Sequence, residues 1–252
     1  MTKKLEICCY TVESAIEAEK AGADRIELCD NYSEGGTTPS YGAIKYCTEK
    51  LSIPVNVIVR PRGGDFLYSH EEFKIIKHDV ELIKELGANG VVIGFLQSDG
   101  EIDLDSTREI VELAYPVEVT FHRAFDMCKD PLAALEQLKD LGIKRILTSG
   151  AKNRALDGAD LLSKLVRKAE DKIIIMPGSG VNENNLSGLI EKTGAKEFHS
   201  SAKTFKSSQM EYFNNDIYMG GNSDIDEFKT IFADAGKIKK MAAILSDYKS
   251  LS

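Results

Sequence analysis

The sequence predicts an α/β protein with the fold of a (β/α)8 barrel, also called a TIM barrel. Short runs rich in β-branched residues alternate with amphipathic stretches through most of the 252-residue chain. Eight such units follow one another at roughly 25 residues each, which is the spacing of this barrel. The competing fold, a doubly wound open sheet, carries a glycine-rich turn after its first strand. The corresponding turn here reads Cys8-Cys9-Tyr10-Thr11-Val12-Glu13 and has no glycine, so the barrel is favoured.

The individual elements follow from hydrophobic periodicity and from helix start and stop signals. The predicted strands cover residues 5–8, 25–29, 55–60, 90–95, 117–122, 145–149, 173–177 and 197–200. The predicted helices cover residues 12–21, 40–50, 71–86, 103–114, 130–141, 157–169 and 182–192. Asp130-Pro131 is typical of a helix N-cap followed by proline at the first helical position.

All of these elements are expected to form a single domain. Residues 1–202 are the barrel core, and residues 203–252 are a C-terminal loop and closing helix packed on the same domain. Residues 203–222 are polar and predict an irregular loop, which could be a lid, a subunit contact or a mobile connector. Apolar residues then recur at helical spacing from Ile225 to Leu245, which predicts a final helix.

Composition excludes several classes of protein. With 29% charged and 42% hydrophobic residues, the chain is not intrinsically disordered. Its 32 basic and 40 acidic residues give a net charge of −8, so it would repel a phosphate backbone and nucleic acid is not an expected partner. The longest stretch without a charged residue, 87–98, is too short to span a bilayer, so no membrane partner is expected. Five cysteines and no secretory signal favour free thiols in a cytoplasmic protein.

Side chains alternate across a strand, so each predicted strand turns one set of residues toward the barrel axis. Barrel interiors are usually apolar, yet most of the residues placed inward here are polar. They are Glu6 and Cys8, Arg25, Glu27 and Cys29, Asn56, Ile58 and Arg60, Glu118, Thr120 and His122, and Glu197 and His199. Buried charges are costly unless they are paired. Glu6, Glu27 and Glu118 are therefore either structural partners of Arg25 or Arg60, or parts of a site.

Cys8 and Cys29 end neighbouring strands, which lie about 4.8 Å apart, so both sulfurs can reach one metal ion. Thiolates select soft ions, Cu(I) first and also Zn²⁺. A buried pair of small side chains is the alternative. Cys128, on the loop after the fifth strand, is either a third ligand or an ordinary thiol. The remaining cysteines, Cys9 and Cys47, are expected in the core.

The loops at the C-terminal mouth of the barrel carry residues suited to bind an anion. Two arginines beside paired glycines follow the third strand, and small residues follow the sixth to eighth strands, where barrel enzymes often bind phosphate. The glycines could instead serve only to form tight turns. The candidate residues are Arg60, Arg62, Ser149, Gly178, Gly180 and Ser200.

His122 ends the fifth strand and is a candidate base or ligand, with Asp126 nearby to orient it. Arg123 and His199 are further polar residues of the predicted mouth. One function that follows is a metabolic enzyme acting on a small anionic or phosphorylated substrate, with His122 and Glu27 transferring protons. Barrel architecture alone does not name a reaction.

Several segments match a known family, among them Glu6-Ile7-Cys8-Cys9-Tyr10 and Phe198-His199-Ser200-Ser201-Ala202. Further matching segments are 22–29, 34–40, 60–66, 119–126 and 147–150. Over residues 5–205 the chain closely resembles the CutC family of copper homeostasis proteins. This resemblance implies a cytosolic TIM barrel that binds Cu(I) through Cys8 and Cys29 and acts in copper homeostasis or trafficking. It also implies a homo-oligomer, either a dimer or a tetramer, and no organic cofactor is expected.

Overall fold

The computed structural model describes residues 3–214, 216–217 and 226–248 of the chain. Parallel β-strands alternate with α-helices from residue 4 to residue 200. The strands are β1 (Lys4–Cys9), β2 (Arg25–Leu28), β3 (Val55–Ile58), β4 (Gly90–Ile93), β5 (Glu118–Phe121), β6 (Arg145–Thr148), β7 (Ile174–Pro177) and β8 (Glu197–Ser200). The helices are α1 (Val12–Lys20), α2 (Tyr41–Lys50), α3 (His70–Glu85), α4 (Leu104–Ala114), α5 (Pro131–Asp140), α6 (Ala159–Ala169) and α7 (Leu186–Thr193).

The eight strands form one sheet in the order β7-β6-β5-β4-β3-β2-β1-β8. Neighbouring strands run parallel, and Cys8 of β1 lies opposite Glu27 of β2. Because β7 also packs beside β8, the two ends of the sheet meet and the barrel is nearly closed. The predicted (β/α)8 barrel is therefore confirmed, since the edge strands of a doubly wound sheet stay apart.

The main hydrophobic core lies between the outer face of the barrel and the helices. Leu5 and Ile7 of β1 and Ile26 and Leu28 of β2 are almost completely buried there. Burial of each such side chain contributes about 1.5–3 kcal/mol. The alternation that turns these residues outward also turns their polar neighbours toward the axis.

Hydrogen bonds at the helix ends explain where the helices begin. Thr11 accepts a hydrogen bond from the backbone of α1, and Asp130 accepts two from the backbone of α5, with Pro131 in the first turn as predicted. Such caps satisfy N–H groups that have no partner within the helix. Within the described residues, none of the helices combines the length and the apolar character needed to cross a membrane.

The C-terminal region differs from the prediction of a loop followed by a long helix. Strands β9 (Lys203–Ser207) and β10 (Lys229–Ala233) form an antiparallel pair in which Ile231 lies opposite Phe205. The last helix, α8 (Ala235–Asp247), begins only after Asp234, whose side chain accepts a hydrogen bond from the backbone. The prediction was wrong here because Thr230, Ile231 and Phe232 favour a strand. Residues 218–225, including the predicted helix start at Ile225, lie outside the described residues.

Candidate functional site

The lower part of the barrel interior contains a network of paired charges. Arg25 donates hydrogen bonds to Glu6 and to Glu197, the second with 2.7 Å between Nη2 and Oε2. Arg145 contacts the same oxygen of Glu197 at 3.2 Å and pairs with Glu118 at 2.9 Å. Burial alone would raise the pKa of Glu6, but the charge of Arg25 holds it well below its usual value. These ion pairs thus offset the desolvation of the buried carboxylates.

Two cysteine thiols lie side by side above this network. The Sγ atoms of Cys8 and Cys29 are 3.5 Å apart, and both side chains are buried. A carboxylate oxygen of Glu27 lies within 4.8 Å of both sulfurs. Two metal–thiolate bonds of about 2.3 Å can bridge a separation of up to roughly 4.6 Å, so both sulfurs can contact one ion. The residues therefore fit a soft metal ion, with Glu27 as a third donor.

His199, on β8, connects the thiols to the charged network. Its Nδ1 lies 2.8 Å from Oε1 of Glu6, and its Nε2 lies 3.7 Å from Oε2 of Glu27. Burial alone would lower the pKa of His199, but hydrogen bonds to Cys8 and Glu6 raise it well above its ordinary value. A protonated imidazole beside Cys8 favours the thiolate form of that cysteine.

The groups around the thiols differ in acidity. The hydrogen bond with Cys29 lowers the pKa of Cys8 well below its ordinary value, in spite of burial, and His199 adds to this effect. Burial raises the pKa of Cys29, and burial together with the charge of Cys8 raises the pKa of Glu27. The surroundings therefore favour one thiolate next to one thiol and one neutral carboxyl group. A metal ion that binds both sulfurs would displace a proton.

A cavity of about 470 Å³ opens at the mouth of the barrel next to the thiols. Strands β1, β2 and β8 contribute Cys8, Glu27 and His199 to its lining, whereas Arg60 and His122 follow β3 and β5. In the order of strands around the barrel, β5 lies opposite β1. The cavity has the size of an ordinary small-molecule site and two chemically different sides.

Buried polar atoms without a hydrogen-bond partner are concentrated at this cavity. Among the described residues these atoms are Oε1 of Glu27, Nε of Arg60, Nε2 of His122 and the hydroxyl of Tyr68, and the first three residues line the cavity. A buried polar group left without a partner costs about 1–3 kcal/mol. Such a concentration of unpaired polar atoms identifies the cavity as a candidate binding site.

Arg60, Gly180 and Ser200 of the predicted anion-binding set line the cavity. The hydroxyl of Ser200, however, donates to the carbonyl of Val181 at 2.6 Å and accepts from the N–H of Ala202 at 3.1 Å. This serine therefore holds its own loop in place. Anion binding by Gly180 and Ser200 stays a prediction.

The structure does not bring Arg62, Ser149 or Gly178 to the lining of the cavity. Arg62 pairs with Glu72 at 2.5 Å between Nε and Oε1, and Ser149 donates to Asp126 at 2.9 Å. A Cβ at Gly178 would lie 2.4 Å from a methyl carbon of Leu147, so this glycine permits close packing. Alternation along a strand does not extend into the loop that follows, which is why these placements differed from expectation.

Asp126 does not act as the expected orienting partner of His122. Its carboxylate accepts hydrogen bonds from Thr148 at 2.5 Å and from Arg123 at 2.8 Å. The ring of His122 is held instead by the N–H of Ala124, which donates to Nδ1 at 3.1 Å. This local contact arises because a short 3₁₀ helix (Arg123–Met127) begins directly after the histidine.

Cys128 lies apart from the thiol pair. Among the described residues the candidate metal-binding group contains Cys8, Glu27 and Cys29 only. Cys128 is part-buried against the outer core, where burial and the charge of Asp126 raise its pKa to about 11. It is therefore not placed to be a third ligand. Cys9 and Cys47 are buried in the core as predicted.

Sequence reasoning missed several residues of the cavity wall. The rings of Tyr10 and Tyr32 pack edge to face at the cavity, with 5.3 Å between their centroids. Tyr10 follows Cys8 by two residues, so the same alternation could have identified it. Tyr32 begins a short 3₁₀ helix and Lys203 begins β9, and no local pattern indicates that they meet at the mouth.

Fold and site together define a class of protein: a TIM barrel whose mouth carries two adjacent thiols beside a charged interior. A family model described as the CutC family matches residues 3–204. The chain belongs to the CutC family.

Relatives of the whole chain have the same family name. The chain is 50% identical to a CutC family protein of Parabacteroides distasonis over 95% of this chain and 99% of the relative. It is 45% identical to a human protein named copper homeostasis protein cutC homolog, over 95% of this chain and 88% of the relative.

Solved structures support the same assignment of the fold. A CutC structure from Streptococcus agalactiae superposes with a TM-score of 0.76 at 34% identity, covering 79% of this chain and 98% of that one. Phosphoribosylanthranilate isomerase of Thermotoga maritima has a TM-score of 0.58 at 14% identity, covering 97% of this chain and 99% of that one. The likeness to this isomerase shows the shared barrel fold alone.

Proposed function

We propose that the protein binds Cu(I) through Cys8 and Cys29 and acts in cytosolic copper homeostasis or trafficking. The observation that carries this proposal is the 3.5 Å separation of two buried Sγ atoms at the barrel mouth. Thiolates are the protein ligands that Cu(I) prefers. The name of the human relative, a copper homeostasis protein, supports the same assignment.

The charges around Cys8 and Cys29 allow this pair of thiols to bind a monovalent cation. Two thiolates and one Cu(I) ion have a net charge of −1, and a protonated His199 beside Cys8 offsets it. Glu6 holds the His199 ring through Nδ1, which leaves Nε2 directed toward the thiol side. Glu27 offers a further oxygen within reach of both sulfurs.

The cytosolic location forms part of the proposal. All five cysteines are free thiols in the structure, including Cys8 and Cys29, whose sulfurs lie 3.5 Å apart. Thiols persist in this form in reducing compartments. The expected dimer or tetramer stays a prediction.

Competition between the protein and a chromophoric Cu(I) chelator under anaerobic conditions tests the ligands. We expect one Cu(I) per chain in the wild type. In the Cys8→Ser/Cys29→Ser variant we expect the affinity for Cu(I) to fall by more than about 100-fold. Loss of a residue that only orients a metal ligand typically lowers metal affinity by about 10–100-fold. Cys47→Ser/Cys128→Ser, which removes the same number of thiols elsewhere, is the matched control. Equal Cu(I) affinity in the wild type and the Cys8/Cys29 variant would reject the proposal.

The alternative of a metabolic enzyme with His122 and Glu27 as proton-transfer residues stays a prediction. Nδ1 of His122 accepts a hydrogen bond from the backbone, and burial together with the charge of Arg60 lowers the pKa of His122 to about 3. A histidine with so low a pKa is a poor base at neutral pH. The geometry favours a binding role for this residue.

A further inference from the structure

Arg60 is a buried charge whose partners are neutral. Its Nη1 donates to the carbonyls of Glu34 at 2.6 Å and Gly36 at 2.9 Å, and its Nη2 donates to the carbonyl of Gly64 at 2.7 Å. The residue is 6% exposed, its guanidinium lies beside the hydroxyl of Tyr68, and its Nε has no partner of good hydrogen-bond geometry among the residues the structure describes. Buried arginines are normally paired with carboxylates, as Arg25 is in this barrel.

His122 presents a second donor without a partner. Since its Nδ1 accepts a hydrogen bond from the N–H of Ala124, the proton of the neutral ring lies on Nε2. That atom is buried and unpaired within the described part of the chain. Gly94 makes room for the ring, because a Cβ there would lie 2.4 Å from Cε1 and Nδ1 of His122.

The two donors belong to one side of the cavity. Arg60 packs over the ring of Phe66, with 5.1 Å from its central carbon to the ring centroid, and the His122 ring lies 5.0 Å from the same centroid. All three residues line the cavity. The rings of Phe66 and His122 exclude water from the guanidinium, which strengthens any charge interaction made there.

Arg60 and Arg123 place positive charge near His122 on this side of the cavity. Burial, and then the charges of Arg60 and Arg123, lower the pKa of His122 to about 3. Of the acidic residues of the cavity lining, Glu27 lies beside the thiols, whereas Glu34 lies next to Arg60, with its carboxylate against Gly63. The hydrogen bonds of the Arg60 guanidinium to described residues nevertheless go to carbonyl oxygens, so its charge is available to a ligand.

We propose that Arg60 and His122 form an anion subsite that binds the carboxylate or phosphate of a small organic molecule in the barrel mouth. Nε–H of Arg60 and Nε2–H of His122 each donate a hydrogen bond to the anionic group. The remaining volume of the cavity, about 470 Å³ in all, accommodates the rest of a metabolite-sized ligand beside Tyr10. This subsite is distinct from the copper ligands and does not depend on them.

The subsite also differs from the phosphate-binding position common in TIM barrels, which uses the loops after β7 and β8. There the Ser200 hydroxyl already binds Val181 and Ala202, and Ser179 donates to the carbonyl of Asn153 at 2.7 Å. The unpaired donors follow β3 and β5 instead. The anion is therefore expected on the side of the mouth formed by these strands.

Calorimetric titration of the metal-free protein with inorganic phosphate, and separately with malonate, tests the subsite, with sodium chloride at equal ionic strength as the reference. We expect saturable binding of at least one anion, and the tighter of the two identifies phosphate or carboxylate as the ligand group. His122→Phe keeps an aromatic ring against Phe66 but removes the donor, and Arg60→Lys removes Nε–H. Each variant is expected to bind about 10- to 100-fold more weakly, the range for a lost hydrogen bond to a charged group.

Two controls isolate the subsite. Arg62→Lys changes an arginine of the same loop outside the cavity, and Cys47→Ser removes a thiol of the outer core; both are expected to bind the anion as the wild type does. Circular dichroism verifies folding, and if Arg60→Lys does not fold, His122→Phe alone decides. Failure of the wild type to bind either anion, or equal affinity in His122→Phe, overturns the subsite and leaves the copper proposal unaffected. Loss of binding in the cysteine variant would also contradict it.

Discussion

Buried charged groups are paired with one another at one end of the barrel interior and are not paired at the other. In the lower part, Arg25 is paired with Glu6 and Glu197, and every partner is itself buried. At the mouth, the guanidinium of Arg60 donates to carbonyl groups rather than to carboxylates, and polar atoms of His122 and Glu27 have no partner among the described residues. Both regions belong to the same barrel, so the difference does not reflect the fold. Charges that are paired with one another stabilise the barrel, whereas charges left unpaired at a cavity indicate ligand binding.

Arg25→Met gives the largest expected effect on stability. It leaves Glu6 and Glu197 buried without their main partner, so the free energy of unfolding should fall by about 3–5 kcal/mol. Urea denaturation measures the change. Arg62→Met is the matched control, because the partly exposed pair with Glu72 should contribute less than about 1 kcal/mol. Equal losses in the two variants would contradict the structural role of the lower network.

The pH dependence of stability tests the environment of His122. Its pKa is about 3 in the folded protein and near 6.5 in the unfolded chain, so only the unfolded state takes up this proton as the pH falls below 6.5. The contribution of the neutral ring is complete above pH 6.5 and is lost as the pH falls toward 3. Between pH 6.5 and about pH 4.5 the loss of stability from this group should amount to about 2 kcal/mol.

Urea denaturation of the wild type and His122→Phe at several pH values in this interval measures that contribution. The variant has no titrating ring at this position, so its stability should fall less steeply than that of the wild type. Parallel pH profiles for the two proteins would show that His122 is not buried in the neutral form.

Gly94→Ala should have a moderate effect. The new Cβ would approach His122 to 2.4 Å and the Cβ of Ala124 to 2.7 Å, so the ring or the backbone must move. Such overpacking typically costs about 1–3 kcal/mol. Thermal or urea unfolding measures the loss, and anion titration of the folded variant should show weaker binding because the donor is displaced. Unchanged stability and binding would mean that the mouth tolerates a shifted histidine.

Gly188→Ala, the same substitution in helix α7, should have the smallest effect and the opposite sign. Nothing lies within 4 Å of a Cβ at this position, and alanine has the higher helix propensity. We expect a gain of up to about 1 kcal/mol in the free energy of unfolding. A loss as large as that of Gly94→Ala would show that the effect at the mouth is not specific to His122.

Alternation along single strands was sufficient to predict much of the site. It placed Glu6 and Cys8 of β1, and Glu27 and Cys29 at β2, toward the axis, where the structure has them. It also identified the adjacent thiols, because neighbouring parallel strands bring equivalent positions together. The same rule, applied to β6, would have placed Arg145 inward as well.

Predictions beyond the strand ends were less successful. Asp126 was expected to orient His122 but binds Arg123, and Arg62 was expected at the cavity but pairs with Glu72. Loop conformation depends on local hydrogen bonds that residue spacing does not encode. In the C-terminal region, apolar spacing suggested one helix where β10 precedes α8, because periodicity alone does not distinguish a short apolar strand from a turn of helix.

Local patterns thus determined the barrel, the inward-facing residues and the two thiols, since each depends on a period within one strand or helix. Only closure of the barrel decided which charges are paired, because the partners lie far apart in the chain, as Glu6 and His199 do. It also left Nε of Arg60 and Nε2 of His122 at the mouth without a hydrogen-bond partner in the described part of the chain. Long-range packing, rather than residue type, therefore separates the charges that stabilise this protein from those available to a ligand.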